Sequence, residues 1–454
     1  MSSARQNPES PFSGGWEMKC ALFLAGVLCA SAGHVKADST NPADHSISVH
    51  GISLAEAIRL ARKNSPVLNG AIADVEAAKA GARAAQAGLM PKLSANGFAA
   101  SGNNSSILGS TPMVDPPAWM LVPTGSFLDG NLSLMVPFFA PRLQAMAGSA
   151  TWQARAAFGD LAEASAELDL QVTEDYDRVL LVRQLILAEK AKVSAARELV
   201  RTAQAMLDAG KGLEASVQRG NAELSRAQRD LATAQNDEAK DLLELEAAMG
   251  SDMSSPLDPK DELTDKAPAT GLQEILVKAK MARGILVAAR ARREAANKDI
   301  GAAVGQRSPQ LYGAVMGDAT NRSDMGGLSA GLTLSIPLFD GGRISAEISQ
   351  AKFMKAKADA LLKQAELAVE KEVRQAWLDM QSAASNASSA RASVSAAQVA
   401  YDVTALRVSA GKSILLEQLD ALEALVHAKS DLAQSTFDQA VAIARLNRAT
   451  GGQL

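Results

Sequence analysis

The sequence repeats one pattern of residues twice, and this duplication restricts the folds open to its 454 residues. The segment SLAEAIRLARKNSPVL returns later as GLQEILVKAKMARGIL, so that Leu54 and Glu56 recur as Leu272 and Glu274. In both copies a strand-like segment ending in a proline and then a glycine turn follow. Two similar units in one chain indicate an architecture that is built twice from the same elements.

The duplication also predicts the domain organisation. We expect a first repeat at 38–250, a linker at 251–270 and a second repeat at 271–454. Residues 1–37 are predicted to be a secretory signal peptide with an upstream extension. Within them, one lysine after Met18 precedes a short apolar run and then small residues of the kind found at cleavage sites.

Each repeat contains a long stretch without proline and almost without glycine, which predicts an uninterrupted helix. These stretches are 142–208 and 343–409, and each helix would be about 100 Å long at the usual helical rise. A short turn after each stretch predicts the tip of a helical hairpin. The residues of the two turns are Gly210, Lys211 and Gly212 in the first repeat, and Gly411, Lys412 and Ser413 in the second.

Four segments are predicted to be strands, at about 91–101, 127–137, 309–318 and 327–337. In the last of them, apolar residues alternate with small polar residues, which is typical of a transmembrane strand with lipid on one side and water on the other. The side chains expected to face lipid are those of Leu328, Leu332, Leu334 and Ile336. A half-buried strand of a soluble protein would show the same alternation.

Aromatic residues near the strand ends favour the membrane over a soluble sheet. Phe138 and Phe139 follow the second strand, Phe339 follows the fourth, and Trp119 and Phe127 lie near the other end of the first hairpin. Such positions suit the aromatic girdles of membrane interfaces. The smallest closed membrane barrels use about eight strands, so four strands per chain predict an oligomer.

Charge and cysteine content exclude several functional classes. The 46 basic and 50 acidic residues give a formal net charge of −4, which provides no basic field for a nucleic acid. Both cysteines, Cys20 and Cys29, fall within the predicted signal peptide. The four histidines show no ligand or catalytic spacing. We therefore expect no cofactor, no metal site and no enzymatic activity.

The residues resemble the outer-membrane efflux proteins of Gram-negative bacteria, also called the TolC family. The segments that carry the resemblance are SLAEAIRLARKNSPVL, IPLFDGGRISAEISQAK after the last strand, and the AGK turn that leads into SILLEQLDALEALVHAK. The resemblance as a whole covers nearly all of the mature chain and both repeats.

The resemblance implies a mainly helical fold with a small β part. Three chains would form a homotrimer with one twelve-stranded outer-membrane barrel, continued by a long helical barrel through the periplasm. Its lower end would meet a periplasmic adaptor and an inner-membrane transporter. The expected cargo would be drugs, metal ions or proteins, the last by type I secretion.

In such proteins the hairpin tips form the lower mouth and contact the adaptor, and acidic residues after the second turn ring the entrance. The matching positions here are Glu417 and Asp420, which would place six carboxylates around the axis of a trimer. The alternative is that both are solvated acids near a helix start, stabilised by the helix dipole. The family's interlocking Tyr and Arg are not matched, because Val408 and Ser413 occupy those positions.

A second functional class stays open at this point. Long helices with coiled-coil spacing also suit a periplasmic adaptor or a structural rod without a pore. The two predicted strand pairs separate the hypotheses, because an adaptor made of long helices would not need them.

Overall fold

The computed structural model describes residues 50–102, 106–108, 120–122, 125–210, 212–251, 257–263, 270–321, 326–410 and 412–452. The predicted signal peptide, Lys211 and Gly411 lie outside these ranges. Most of the described chain is helical. None of the described helices has an apolar stretch long enough to cross a membrane.

The elements follow one order twice. The first part of the chain contains β1 (His50–Ile52), α1 (Leu54–Asn64), α2 (Pro66–Ala87), β2 (Lys92–Gly102), β3 (Ser106–Leu108), β4 (Met120–Val122), β5 (Gly125–Phe139), α3 (Pro141–Asp208) and α4 (Glu214–Met249). The second contains β6 (Leu257–Pro259), α5 (Leu272–Ala282), α6 (Gly284–Gly305), β7 (Gln310–Thr320), β8 (Gly327–Ser335), α7 (Arg343–Ser409) and α8 (Leu415–Ala449). Short β3 and β4 pair with each other between β2 and β5.

The four longer strands form one antiparallel sheet in the order β2-β5-β7-β8. Strands from the two halves of the chain therefore meet at its centre, where β5 pairs with β7. The pairing of Leu134 with both Leu93 and Val315 fixes the register across three strands.

The two prolines near the strand ends behave differently. Strand β5 continues through Pro137 to Phe139, and an irregularity there lets the ring of Phe138 lie over Gly313. By contrast β8 ends at Ser335, opposite Gln310, the first residue of β7. Ile336 thus lies just beyond the strand, which corrects its predicted place within it. No further β7 residue is available there, and the adjoining Pro337 has no N–H to donate.

Two similar hydrophobic cores hold the helices together, one for each half of the chain. The first joins α1, α3 and α4 through buried residues such as Val172, Leu245 and Met249. The second joins α5, α7 and α8 around Val373 and Leu446. Burial of such side chains contributes about 1.5–3 kcal/mol each.

Strands β1 and β6 are tied to the first core by one buried hydroxyl. Tyr176 on α3 donates to the carbonyl of Ile52 at 2.9 Å and accepts from the backbone N–H groups of Lys260 and Asp261 at 3.1 and 3.2 Å. A single side chain thereby fixes the start of the first repeat and the segment before the second.

A cluster of charges around the buried Arg283 lies where α3, α6, α7 and α8 meet. Arg283, only 2% exposed, donates to Glu372 at 3.0 Å and to Glu163 at 2.9 Å. Arg448 near the end of α8 contacts both of these glutamates and also Glu167, at 2.8 Å. Since an unpaired buried charge costs several kcal/mol, each arginine stabilises this junction only while its carboxylates remain in place.

The helices α3 and α6 approach so closely that two glycines are required. A Cβ on Gly159 would lie 2.5 Å from the backbone N of Ala288, and one on Gly284 would lie 2.6 Å from the backbone N of Glu163. Both contacts are with backbone, which cannot rotate away as a side chain can.

We expect Gly159→Ala to lower the free energy of unfolding by about 1–3 kcal/mol, because the added methyl group forces the two helices apart. The matched control is Gly81→Ala in α2, where no atom lies within 4 Å of the added Cβ. Helix propensity alone should make that change stabilising, by about 0.5–1 kcal/mol. The measurement is the thermal unfolding midpoint of the purified variants, and equal midpoints would contradict the close packing.

Candidate functional site

The register of the sheet sorts its side chains onto two faces of different chemistry. Residues directly opposite each other in paired strands point to the same side. One face is apolar, with Leu93, Leu134, Val315 and Ala330 in one row across the four strands. The expected lipid-facing residues lie on this face: Leu328, Leu332 and Leu334 are 81%, 72% and 60% exposed.

The opposite face of the sheet carries rows of polar side chains, and Met135 and Met316 also lie on it. Ser94 and Ser133 hydrogen-bond through their hydroxyl groups at 2.7 Å, and the side chain of Asn96 donates to that of Asn131 at 3.0 Å. Asp318 is paired with Asn131 in the next strand and continues the polar row. Apolar side chains on one face and paired polar side chains on the other suit a boundary between hydrocarbon and water.

The sheet has two open edges. Within the described residues, β2 pairs only with β5 and β8 pairs only with β7. Each outer strand therefore presents a row of backbone N–H and C=O groups without strand partners. Such edges can be completed only by further strands.

The hairpin tips lie between α3 and α4 and between α7 and α8. Gly210 has a φ of +70°, a left-handed conformation in which glycine has no Cβ penalty. A Cβ on Gly212 would lie within 3 Å of the backbone of Met206 and Leu207, so glycine fits this turn. In the second hairpin, Lys412 and Ser413 precede the first turn of α8.

The predicted gate residues have different surroundings. Glu417 is exposed in the first turn of α8 and accepts a hydrogen bond from the hydroxyl of Ser413. Asp420 is also exposed, and it lines a groove between α4 and α8 together with Arg219 and Arg226. Ser413, placed in the turn by sequence, is thus a direct partner of one gate candidate.

Two sets of charged side chains around α3 were not predicted from the sequence. Lys192 lies 3.2 Å from Asp230 on α4 and 3.8 Å from Glu223. Nearer the sheet, burial raises the pKa of Asp175 to about 6; Arg178 opposes this shift, and the acidic groups of Glu244, Glu174 and Asp241 reinforce it. The partners of Lys192, like Glu244 and Asp241 beside Asp175, lie on α4, so no local motif on α3 marks them.

Comparison with known proteins identifies the family. A model of the family described as "Outer membrane efflux protein" matches residues 57–251 and 276–452. The chain belongs to the outer membrane efflux protein family. This family is one of transport proteins and not of enzymes. The protein is accordingly located in the outer membrane and extends into the periplasm.

Individual relatives are distant. The outer membrane efflux protein BepC of Brucella suis is 27% identical over 291 residues, which are 62% of this chain and 62% of that protein. The chain therefore spans less than two thirds of that relative's length. TolC of Vibrio cholerae is 23% identical over 421 residues, 89% of this chain and 92% of that protein.

Solved structures have the same fold. The crystal structure of the outer membrane protein VceC from Vibrio cholerae superimposes with a TM-score of 0.73 at 20% sequence identity. The similarity covers 88% of this chain and 96% of that one. The mainly helical fold with few strands is therefore confirmed.

The raised pKa of Asp175 predicts a stability that depends on pH. Between about pH 4 and pH 6 the folded chain holds a proton that the unfolded chain has lost, so stability falls as pH rises through this window. Asp175→Asn should lessen this decline, to which Asp177 also contributes because its pKa is raised as well, and should raise the thermal midpoint above pH 7. Glu198→Gln, an exposed acid on the same helix, is the control. Parallel pH profiles of wild type and Asp175→Asn would contradict the assignment.

Proposed function

We propose that the protein is the outer-membrane channel of a tripartite export system, a passive duct for substrates delivered from an inner-membrane transporter. The observation that carries this proposal is the four-stranded sheet with one apolar face, one polar face and two open edges. A sheet of this kind suits the wall of a pore whose outer surface meets lipid and whose inner surface meets water.

In this proposal the open edges are completed by further copies of the chain. Three chains would bring β2 of one copy beside β8 of the next and give twelve strands in one closed barrel. Closure would pair the backbone groups of both edges, as hydrocarbon surroundings require. Leu328, Leu332 and Leu334 would then face lipid, and the row through Ser133 and Asn131 would line the water-filled interior.

The long helices would continue the duct through the periplasm. Helices α3 and α7 contain 68 and 67 residues, about 100 Å each at the usual helical rise. The hairpin tips would then be the part of the trimer that is farthest from the sheet. There the turns at 210–212 and 411–413 would contact a periplasmic adaptor, which connects the duct to the transporter.

We further propose that Glu417 and Asp420 control the mouth at these tips. Both carboxylates are exposed and lie within the first two turns of α8. Around a threefold axis they would place six negative charges near the narrow end, which favours cations over anions.

A periplasmic adaptor or a structural rod is the second candidate. The helical hairpins would serve either function equally well. The sheet favours the channel, because a rod in water has no use for a face that exposes Leu93, Leu132, Leu328 and Leu332.

The first prediction from this proposal concerns the oligomer. Mass measurement of the purified protein in detergent should give three chains per particle. The mature chain is expected to be free of cysteine, so Ala95→Cys in β2 and Ala330→Cys in β8 introduce the only thiols. A flexible bifunctional maleimide should link chains into dimers and trimers in the double variant.

The two single variants are the matched controls, and they should give far less cross-linked product. A particle of one or two chains, or cross-linking that does not need both thiols, would contradict the closed barrel of three copies.

The second prediction concerns the gate. Replacing Glu417 and Asp420 by alanine removes six charges from the proposed ring, where each close pair interacts by about 1–4 kcal/mol. The ratio of cation to anion permeability in planar bilayers should fall by roughly a factor of three or more. Block by divalent cations from the periplasmic side should weaken as well.

Glu198→Ala is the control, since it removes an exposed acid that lies further from the tip on α3. Unchanged selectivity and block in the double variant would show that the two acids are solvated residues of a helix start.

A further inference from the structure

A cavity of about 830 Å³ lies between α1, α3 and the C-terminal part of α8, away from the sheet and from the hairpin tips. The segment after β6 closes one side with Asp261 and Glu262. The cavity thus joins elements of both repeats, and neither the sheet nor the gate makes use of it.

A buried carboxylate without a partner lines this cavity. Asp177 on α3 is only 6% exposed. Among the residues that the structure describes, it has no hydrogen bond and no ion pair. A buried polar group normally has a partner, because leaving it unpaired costs free energy. An unpaired carboxylate that faces a cavity is free to pair with a positively charged ligand.

The neighbouring charges do not supply a positive partner. Arg62 forms a two-bond pair with Asp169, and Arg448 is held by the glutamates of the charge cluster. Asp261 accepts from the backbone N–H of Leu54 at 2.7 Å and adds negative charge beside Asp177. Burial, and then the charges of Asp261 and Glu174, raise the pKa of Asp177 to about 7.

Apolar side chains form part of the remaining wall, and Ser165, Thr173 and Asn447 form polar parts of it. The apolar part consists of Leu54 and Ile58 on α1, Leu170 on α3 and Ile443 on α8. A volume of about 830 Å³ far exceeds that of a bare metal ion and lies in the range of sites for small organic ligands. An apolar patch beside an unpaired carboxylate is complementary to a molecule with an apolar body and one positive charge.

We propose that this cavity is a binding site for an organic cation, with Asp177 as the counter-ion and the apolar side chains of α1, α3 and α8 beside it. The ligand would bridge the two repeats at the point where the C-terminal end of α8 meets α3. Its binding would therefore hold these elements together. The inference goes beyond the proposed channel, because it requires neither conduction nor an adaptor.

The test measures binding of tetraphenylphosphonium to the purified full-length mature protein by equilibrium dialysis at pH 8, where Asp177 is ionised. Tetraphenylborate, which has the same shape and the opposite charge, is the matched ligand control. We expect saturable binding of the cation at one site per chain and no saturable binding of the anion.

Two variants then assign the site. Asp177→Asn keeps the shape of the side chain and removes its charge, and should weaken cation binding at least about tenfold, as loss of a partly buried ion pair does. Lowering the pH from 8 to 5 should weaken binding to wild type but not to this variant. Ala166→Leu, which narrows the cavity, should also reduce binding, whereas Glu198→Gln should not.

Three results would overturn the proposal: equal affinity of wild type and Asp177→Asn, equal binding of the cation and the anion, or displacement of the probe by millimolar calcium ion. The last result would assign the site to an inorganic ion. Dialysis does not depend on conduction. If the protein conducts but does not bind the probe, the proposed binding site is wrong and the proposed channel function still stands.

Discussion

Unpaired backbone along the edges of the sheet is the constraint on which the rest of the structure depends. A strand edge that faces hydrocarbon has no water to satisfy its N–H and C=O groups. The sheet therefore cannot end at β2 and β8 if its apolar face is to meet lipid. Strand pairing between the two halves of the chain, through β5 and β7, halves the number of such edges, and the proposed trimer removes those that remain.

The helical part depends instead on contacts between the repeats. Each half has its own hydrophobic core, but Arg283 and Arg448 from the second half share Glu163 and Glu372 across both halves. Apolar packing is tolerant of sliding, whereas two guanidinium groups bound to shared carboxylates fix the relative position of the helices. The ion pairs at this junction hold α3 and α6 at the short separation that Gly159 and Gly284 allow.

Local patterns in the sequence were sufficient for the long helices and the four longer strands, but they did not predict the short strands β1, β3, β4 and β6. The absence of proline between 142 and 208 indicates one helix, and the structure has α3 at Pro141–Asp208. Proline was an unreliable sign of a strand end. It follows the end of β8 closely, but β5 continues through Pro137 because β7 still has residues to pair with there. The partners of Arg283 lie 89 to 165 residues away and carry no local signal. Their positions follow from tertiary packing, which no short segment encodes.

The length of α3 gives the contact at Gly159 a mechanical consequence. The part of α3 from Gly159 to its end at Asp208 is about 74 Å long at the usual helical rise. A tilt of about 5° at this contact would displace the hairpin tip by about 6 Å for a straight helix. Ångström-scale changes in packing between α3 and α6 are thus magnified several-fold at the far end of the molecule.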